Sequence, residues 1–409
     1  MSNWPFRFVH AGDFHLERLP HDVAEVPDHM RELFIESAYL AAERVFETTL
    51  AEEAELLVLC GDILHPQQTG PRGPLFLIEQ FERLAERGIP VYWAGGRVDP
   101  TDAWPSMLDL PDNVHVFPKG HVEEFVHERD GSPLVRVMGA GHDPGRPVRP
   151  TDFEPDPAGL FTIAVVHGAT DAKALQSRGI HYWALGGRHG RKTPLRGAET
   201  AHYPGTPQGR CPTESGVHGC TLVRVESNQA RATMVPTDAM RFIDAKITID
   251  EQTDQEELED SFRREMTSAT EAAPQTDLLI SWTVSGEGPL HRQLRRGSLS
   301  AEMLEWLRAE FGFGPPAAWS ISLKAEPPES LPTEYYEQET ILGDFLRSVR
   351  QSQMNEDELL ELDSYMAEKH VAGTLASDMA LPDGPPRDNV LREAAMLGLD
   401  LLSGEEATI

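Results

Sequence analysis

Asp13 and His15 stand two residues apart, directly after the apolar run Phe6–Val9. In an extended chain that spacing puts both side chains on one side. One hard oxygen and one imidazole together suit a divalent first-row ion, although a D-x-H pair alone serves equally well as a turn or a cap. Asp62 follows a second apolar run in LLVLCGDILH, where two carboxylate oxygens offer a bridge between two ions; a Gly-Asp alone is usually a turn. His167 closes the run FTIAVV and could as readily be a hydrogen-bonded core residue. His189 lies in WALGGRHG, whose glycines allow the backbone to approach a site closely. Each signal is weak alone. Five ligand-type residues at four strand ends, in an ordered series, point together to the binding of a divalent cation.

The elements that must position these residues alternate between strand and helix over 1–238. Strands are expected at 6–9, 56–60, 91–94, 114–117, 134–138, 161–166, 180–185, 220–225 and 231–235. Amphipathic helices are expected over 28–54, where Leu33, Phe34, Ser37, Leu40, Ala41 and Val45 recur at three- and four-residue steps, and over 75–87. In layered α/β domains ligands gather at the carboxyl ends of strands. A second unit, 241–325, has a β-α-β-α-β pattern: Ile243, Ala245, Ile247 and Ile249 alternate as a strand, and Leu258, Phe262 and Met266 mark a helix. The remainder, 326–409, begins with a Pro-containing linker. It continues as an acidic tail with one apolar stripe at Ile341, Leu342, Phe345, Leu346 and Val349 and another at Leu359, Leu360, Leu362, Tyr365 and Met366.

The 409 residues carry a net charge of −31. Such a chain is repelled by nucleic acid and by anionic membranes unless its charge is segregated, which argues against a simple DNA-coating protein. The apolar runs are too short to span a bilayer. The start, MSNWPFRFVHAGD, lacks the basic and apolar regions of a secretory leader. Cys60, Cys211 and Cys220 show no C-x-x-C spacing, so neither structural zinc nor a disulfide framework is expected, and a reducing cytoplasm is the default location.

The motif series resembles the calcineurin-like metallophosphoesterase superfamily, whose pattern runs D-x-H, G-D, G-N-H-D/E, a lone His, and G-H-x-H. More closely it resembles the SbcD/YhaO type of DNA-repair exonuclease. The matching segments are HAGDFHLER (10–18), LCGDILHP (59–66), VVHG (165–168), HYWALGGRH (181–189) and HYPGTPQGR (202–210). The last resembles a Y-P-G-S-x-Q-like stretch of the nucleases, and 241–325 is similar to that branch's capping domain. The resemblance implies an α/β fold: a layered α/β/β/α sandwich at 1–238, a small α/β capping domain at 241–325 and a helical C-terminal tail at 326–409. It implies one ion, commonly manganese with magnesium as the alternative, on Asp13, His15, Asp62 and His189. A second ion would take Asp62, His167, an Asn and a further His. It also implies a cytoplasmic subunit of DNA repair whose segment after the capping domain packs on the coiled coil of an SMC-like ATPase. DNA and a second copy of the chain stand as further open partners.

The sequence departs from that pattern. The Asn position falls at Gly96, the catalytic His at Arg97, and the first His of G-H-x-H at Gly187. Glycine offers no donor, so the second ion loses two of its four ligands, and even losses outside the coordination sphere weaken metal binding by about 10–100-fold. Arginine stays protonated and cannot act as the general acid. Both broken motifs now read Gly-Gly-Arg, at 95–97 and 186–188. Arg97 and Arg188 are therefore candidate catalytic residues, placed to fill the missing ion's space and to hold phosphate oxygens bidentately. The alternative is that they face solvent or pair with Asp99 or Asp102. The expectation is one ion and weak or absent turnover, either as a metal-dependent phosphodiesterase of the exonuclease kind or as a non-catalytic scaffold subunit. The capping unit and YPGTPQGR argue against a small-molecule phosphomonoesterase. His65 supports the site or merely its loop, His142 and His202 are structural, Cys60 is inert core, and Gln208 and Arg210 flank the site. Arg188, Arg191, Lys192, Arg196 and Arg210 form a basic strip or a solvated loop. Tyr335, Tyr336 and the tail stripes either dock a partner helix or fold back on their own domain.

Overall fold

The computed structural model describes residues 4–168, 170–326, 331, 333–355 and 385–402. It divides into two compact units: Met1–Asp244 with Ala269–Ser281 and Phe311–Ile321, and Ala245–Ser268 with Trp282–Glu310 and Ser322–Ile409.

The first unit is built on two six-stranded sheets. One runs β12-β11-β1-β2-β3-β4, from β1 (Phe6–Ala11), β2 (Leu57–Leu59), β3 (Val91–Ala94), β4 (Val114–Phe117), β11 (Gly219–Glu226) and β12 (Gln229–Pro236). Strands β1 to β4 are parallel, and β11 joins β1 antiparallel with Phe8 opposite Val223. The other runs β5-β6-β7-β8-β10-β9, from β5 (Glu123–Arg129), β6 (Ser132–Ala140), β7 (Phe161–His167), β8 (Tyr182–Gly186), β9 (Lys192–Leu195) and β10 (Thr200–Tyr203). Its four inner strands are parallel and its two edges antiparallel.

Alternation along the strands builds the layers. On β1, Phe6 and Phe8 point between the sheets and pack with Val58, Ile163, Val165 and Tyr182. Val9 and Ala11 point the other way, onto Val45 and Phe46 of the helix Arg31–Ala51 and Leu77 and Phe81 of the helix Arg72–Ala85. Apolar side chains on both faces are what a covered parallel sheet requires. The outer face of the second sheet packs Met138, Trp183 and Leu185 against Phe153, Leu175 and Ile180. Its helical layer is thin, the short helix Ala172–Leu175 and ordered loops. The result is the α/β/β/α sandwich expected from sequence.

Three further strands, β13 (Met240–Ile249), β14 (Asp277–Gly286) and β15 (Ala318–Ala325), form a sheet in that order. In the second unit, Phe262 of the helix Gln255–Ala272 meets the Trp282 ring edge-on at 4.9 Å. The expected tail helix is present as Ile341–Met354, and its stripe is covered by the helix Pro385–Leu402 through Leu346, Leu391, Met396 and Leu399. Tyr335 and Tyr336 pack against the same cluster. The second expected stripe, 359–366, lies outside the described residues. Among the described residues no helix is long and apolar enough to cross a membrane.

Candidate metal centre

The chemistry-bearing residues sit at the carboxyl ends of parallel strands. β1 leads into Asp13 and His15, β2 into Asp62, β3 into Gly95–Arg97, β6 into His142, β7 ends on His167, and β8 leads into Gly187 and His189. The loops after β1 and β2 continue the ladder between them. Asp13 N–H donates to Gly61 O at 2.9 Å, His15 N–H to Asp62 O at 3.0 Å, and Leu16 N–H to Ile63 O at 3.1 Å. Asp13, His15 and Asp62 all adopt left-handed backbone, with φ of 54°, 47° and 52°. For non-glycine residues each such conformation costs on the order of 1–3 kcal/mol and persists only where the surroundings enforce it; here the two interlocked loops do so.

The donors converge. Asp62 Oδ2 lies 3.4 Å from His167 Nε2 and 3.8 Å from His15 Nε2. Ligand atoms of Asp13, His15 and His189 lie within 4.8 Å of one another, and so do those of Asp13, Asp62 and His167. Two imidazoles are held at Nδ1 by an acceptor, Glu17 Oε1 at 3.1 Å for His15 and Cys60 O at 2.8 Å for His167, while His189 Nδ1 meets both Glu214 Oε1 at 2.7 Å and the Arg210 Nη2 donor at 2.9 Å. At His15 and His167 the acceptors require the proton on Nδ1 and leave the Nε2 lone pair directed inward.

These residues fit a divalent cation. His15 Nε2 and His167 Nε2 are buried and have no hydrogen-bond partner among the described residues, a rarity in folded proteins that calls for a specific cause. Burial, opposed by the Gly187 N–H but reinforced by the charge of Asp62, pushes Asp13 up to about 7. A cation among these ligands would relieve that repulsion. At Asp62 burial alone would raise the pKa, but His167, the N–H groups of Val98 and Arg97, and His15 outweigh it and hold the carboxyl below its ordinary value. Burial lowers His167, against the pull of Asp62 and Cys60 O.

The neighbouring second position keeps Asp62 and His167, whose ligand atoms lie within 4.8 Å of each other and of Asp13, but has glycine at 96 and 187. Asp62 Oδ1 accepts the main-chain N–H groups of Arg97 at 2.6 Å and Val98 at 3.0 Å. A Cβ at Gly96 would overlap the N and Oδ1 of Asp62, so no side chain can stand where the family places Asn. Gly187, at φ +83°, would put a Cβ 3.0 Å from His167 Nε2, and its N–H instead donates to Asp13 Oδ2 at 2.9 Å. Buried Asp99 staples this arrangement: Oδ1 accepts from Asp62 N–H at 2.8 Å and Gly96 N–H at 2.7 Å, and Oδ2 from Ile63 N–H at 3.1 Å. Burial and Asp62 push Asp99 up to about 8 against its backbone donors.

Arg97 and Arg188 are exposed. Arg97 pairs with neither carboxylate suggested by sequence, because Asp99 is engaged by the backbone and Asp102 by Lys119 at 3.5 Å. Its charge adds to the burial that holds His142 and His167 below the ordinary imidazole range. Arg188 instead acts at Tyr203, against the burial that raises it. The basic cluster of 188–210 is divided: Arg191 turns in to Thr221 Oγ1 at 2.6 Å, while Arg210 is buried, its Nη2 3.2 Å from Glu214 Oε1 and 2.9 Å from His189 Nδ1. Gln208 clamps the chain, donating to Met240 O at 2.7 Å and accepting from Ala239 N–H at 2.7 Å. His65 acts through its N–H, which donates to Glu17 Oε2 at 3.0 Å. His202 bonds Thr193 and Thr221, and Cys60 touches His10 at 3.1 Å in the core beneath the site.

Sequence reading missed Glu17, Glu214, Asp99 and the place of His142. Glu17 extends the D-x-H alternation to 13, 15 and 17, a signal open to a closer look. Glu214 stands 25 positions from His189 and has no local signature. The ring of His142 lies 5.9 Å from that of His167, and its N–H donates to Gly95 O at 2.8 Å, so it borders the site.

Two comparisons with known proteins bear on the family of this chain. Residues 242–325 match the family described as the middle domain of metallophosphoesterase YhaO. Over 238 residues, 53% of the chain, the sequence is 27% identical to a Bacillus subtilis (strain 168) protein described as an uncharacterized metallophosphoesterase YhaO, covering 57% of that relative's length. The chain thus spans little more than half of the curated relative it matches. Both matches support the metallophosphoesterase superfamily, and with it the use of a divalent metal.

Proposed function

We propose that this chain is a phosphodiesterase that works with one resident divalent ion, manganese rather than magnesium, and that its substrate is DNA, cut from an end as in SbcD-type exonucleases. The observation that carries the reading is the pair of buried, unpartnered Nε2 atoms on His15 and His167 facing Asp62 Oδ2. Asp13, His15, Asp62 and His189 would hold the ion, with His167 placing a water or phosphate oxygen. When bound, it lowers the pKa of a water and polarises a phosphoryl oxygen. Glu17 and Cys60 O keep His15 and His167 in the coordinating tautomer, and Glu214 orients the His189 ring. Arg97 and Arg188 stand at the rim to take phosphate oxygens, and His142 offers a proton to the leaving oxygen that Arg97 cannot give. The partner of the proposed subunit is an SMC-like ATPase in the cytoplasm, by resemblance.

The test is hydrolysis of linear duplex and single-stranded DNA by purified protein with manganese, beside metal analysis of the same sample. Close to one ion per chain and slow turnover abolished by Asp62→Ala is the expected result. A stoichiometry near two that Cys211→Ser leaves unchanged would refute the single-ion site. The scaffold reading draws on the glycines at 96 and 187, which leave the second position without two of the ligands the resemblance implies. One bound ion, no turnover and retained binding to a coiled-coil ATPase would decide for it.

A further inference from the structure

A second set of ligand-type side chains lies apart from the residues above. His21, Asp22 and Cys211 bring one nitrogen, one oxygen and one sulfur within 4.8 Å of each other. His21 Nδ1 and Asp22 Oδ2 are 2.9 Å apart and face solvent, while Cys211 is buried behind them with its Sγ 3.1 Å from Thr213 Oγ1. The two segments are distant in sequence but fixed to each other, since His21 N–H donates to Arg210 O at 2.8 Å, one residue before the cysteine. The proposed hydrolysis uses none of these three groups.

We infer that His21, Asp22 and Cys211 form a second metal site, one for a zinc-type ion, with the solvent side leaving its remaining position to water. The ligand chemistry separates it from the first site. Thiolate is soft and selects zinc or cobalt(II), whereas the first site offers only carboxylates and imidazoles and suits harder ions. Three protein ligands of mixed N, O and S type with an open fourth position match the pattern of accessible zinc sites. The Cys211 thiol gives its proton to solvent as the ion binds, and the Sγ–metal bond forms in its place, with no redox change.

Cobalt(II) titration of the full chain is the test, because sulfur-to-cobalt charge transfer in the near ultraviolet reports thiolate ligation alone. Cys60 and Cys220 are fully buried in the core, so the band reads Cys211. The expected result is a band that saturates, is displaced by zinc, and persists in Asp62→Asn, which alters only the first site. Cys211→Ser should remove it. Exposed His21→Ala, which leaves the core untouched, should weaken cobalt binding at least about tenfold, beyond the loss typical of outer partners. Absence of a band in the wild-type protein, or a band unchanged in both variants, would overturn the proposal and mark His21 and Asp22 as a surface pair beside an inert thiol.

Discussion

The main-chain N–H of Arg97 donates to Asp62 Oδ1 at 2.6 Å. That oxygen is committed to the protein's own loop, while Oδ2 is left facing His15 Nε2 and His167 Nε2. Its two backbone donors, Arg97 and Val98 N–H, fix the loop after β3 against Asp62, with glycine where the resemblance places Asn. Restoring a ligand by Gly96→Asn should therefore fail. The new side chain would meet the N and Oδ1 of Asp62, and overpacking against backbone costs typically 1–3 kcal/mol. Thermal melts should show a lower midpoint, and metal analysis no added ion; a rise to two ions with unchanged stability would disprove this account.

The carboxylates behind the imidazoles offer a cleaner probe of the first site. Glu17 is buried, and burial alone would raise it, but His15 and the N–H groups of Glu17 and His65 bring it below its ordinary range. Glu214 is likewise held low, by His189 and Arg210 against burial. Glu17→Gln or Glu214→Gln keeps the shape but weakens the hold on the coordinating ring. Each variant should bind manganese about 10–100-fold more weakly with little change in fold. Isothermal titration would show it, and wild-type affinity in both variants would mean that the imidazoles need no such partner.

The layered fold was legible in the sequence because buried parallel strands are near-continuous apolar runs, and LLVLC and FTIAVV are hard to mistake. Five ligand positions were legible for the same reason, each following such a run. β5 was not, since Glu123–Arg129 is mostly polar and lies on an edge with little to bury. β10 was hidden in the HYPG stretch that carries turn residues. Asp99 was visible only as a candidate partner for Arg97. Its actual role, gathering the N–H groups of Asp62, Ile63 and Gly96, depends on two loops meeting in space. Glu214 and His142 are opaque for the same reason. The tail stripe was legible, but not its cover, because Pro385–Leu402 lies more than 30 positions from Met354.

His142 separates a positioning role from a chemical one. It borders His167 without belonging to either ligand cluster. If it protonates the leaving oxygen, His142→Gln should lower kcat by about 10²–10⁴, the usual contribution of a general acid. KM and bound metal should barely change. A leaving group that needs no proton, as in a nitrophenyl diester, should restore most of the rate. Equal losses on both substrates would show that the ring is only structural.

Acid stability should depend on the histidines beneath the site. His202 is fully buried between Thr193 and Thr221, and burial, with Arg191 and Arg196, pushes it down to about 3. His10 is also held well below the ordinary value, by burial first and then by His202 and Arg191. An unfolded imidazole takes its proton near pH 6.5, whereas the folded one refuses it until far lower. The stability that comes from this refusal is complete above that pH and is lost as the pH falls toward 3, by up to about 1.4 kcal/mol per unit for each ring. Asp13 and Asp99, raised to about 7 and 8, act in the opposite sense in metal-free protein, so the informative quantity is a difference between variants. In denaturant titrations, wild type should lose about 2 kcal/mol more than His202→Gln between pH 7 and pH 5. Glutamine has no proton to take up and can still meet one threonine hydroxyl, so its curve should be flatter. Parallel curves would show that the folded pocket admits the proton after all, through a water path or a hinge at β10.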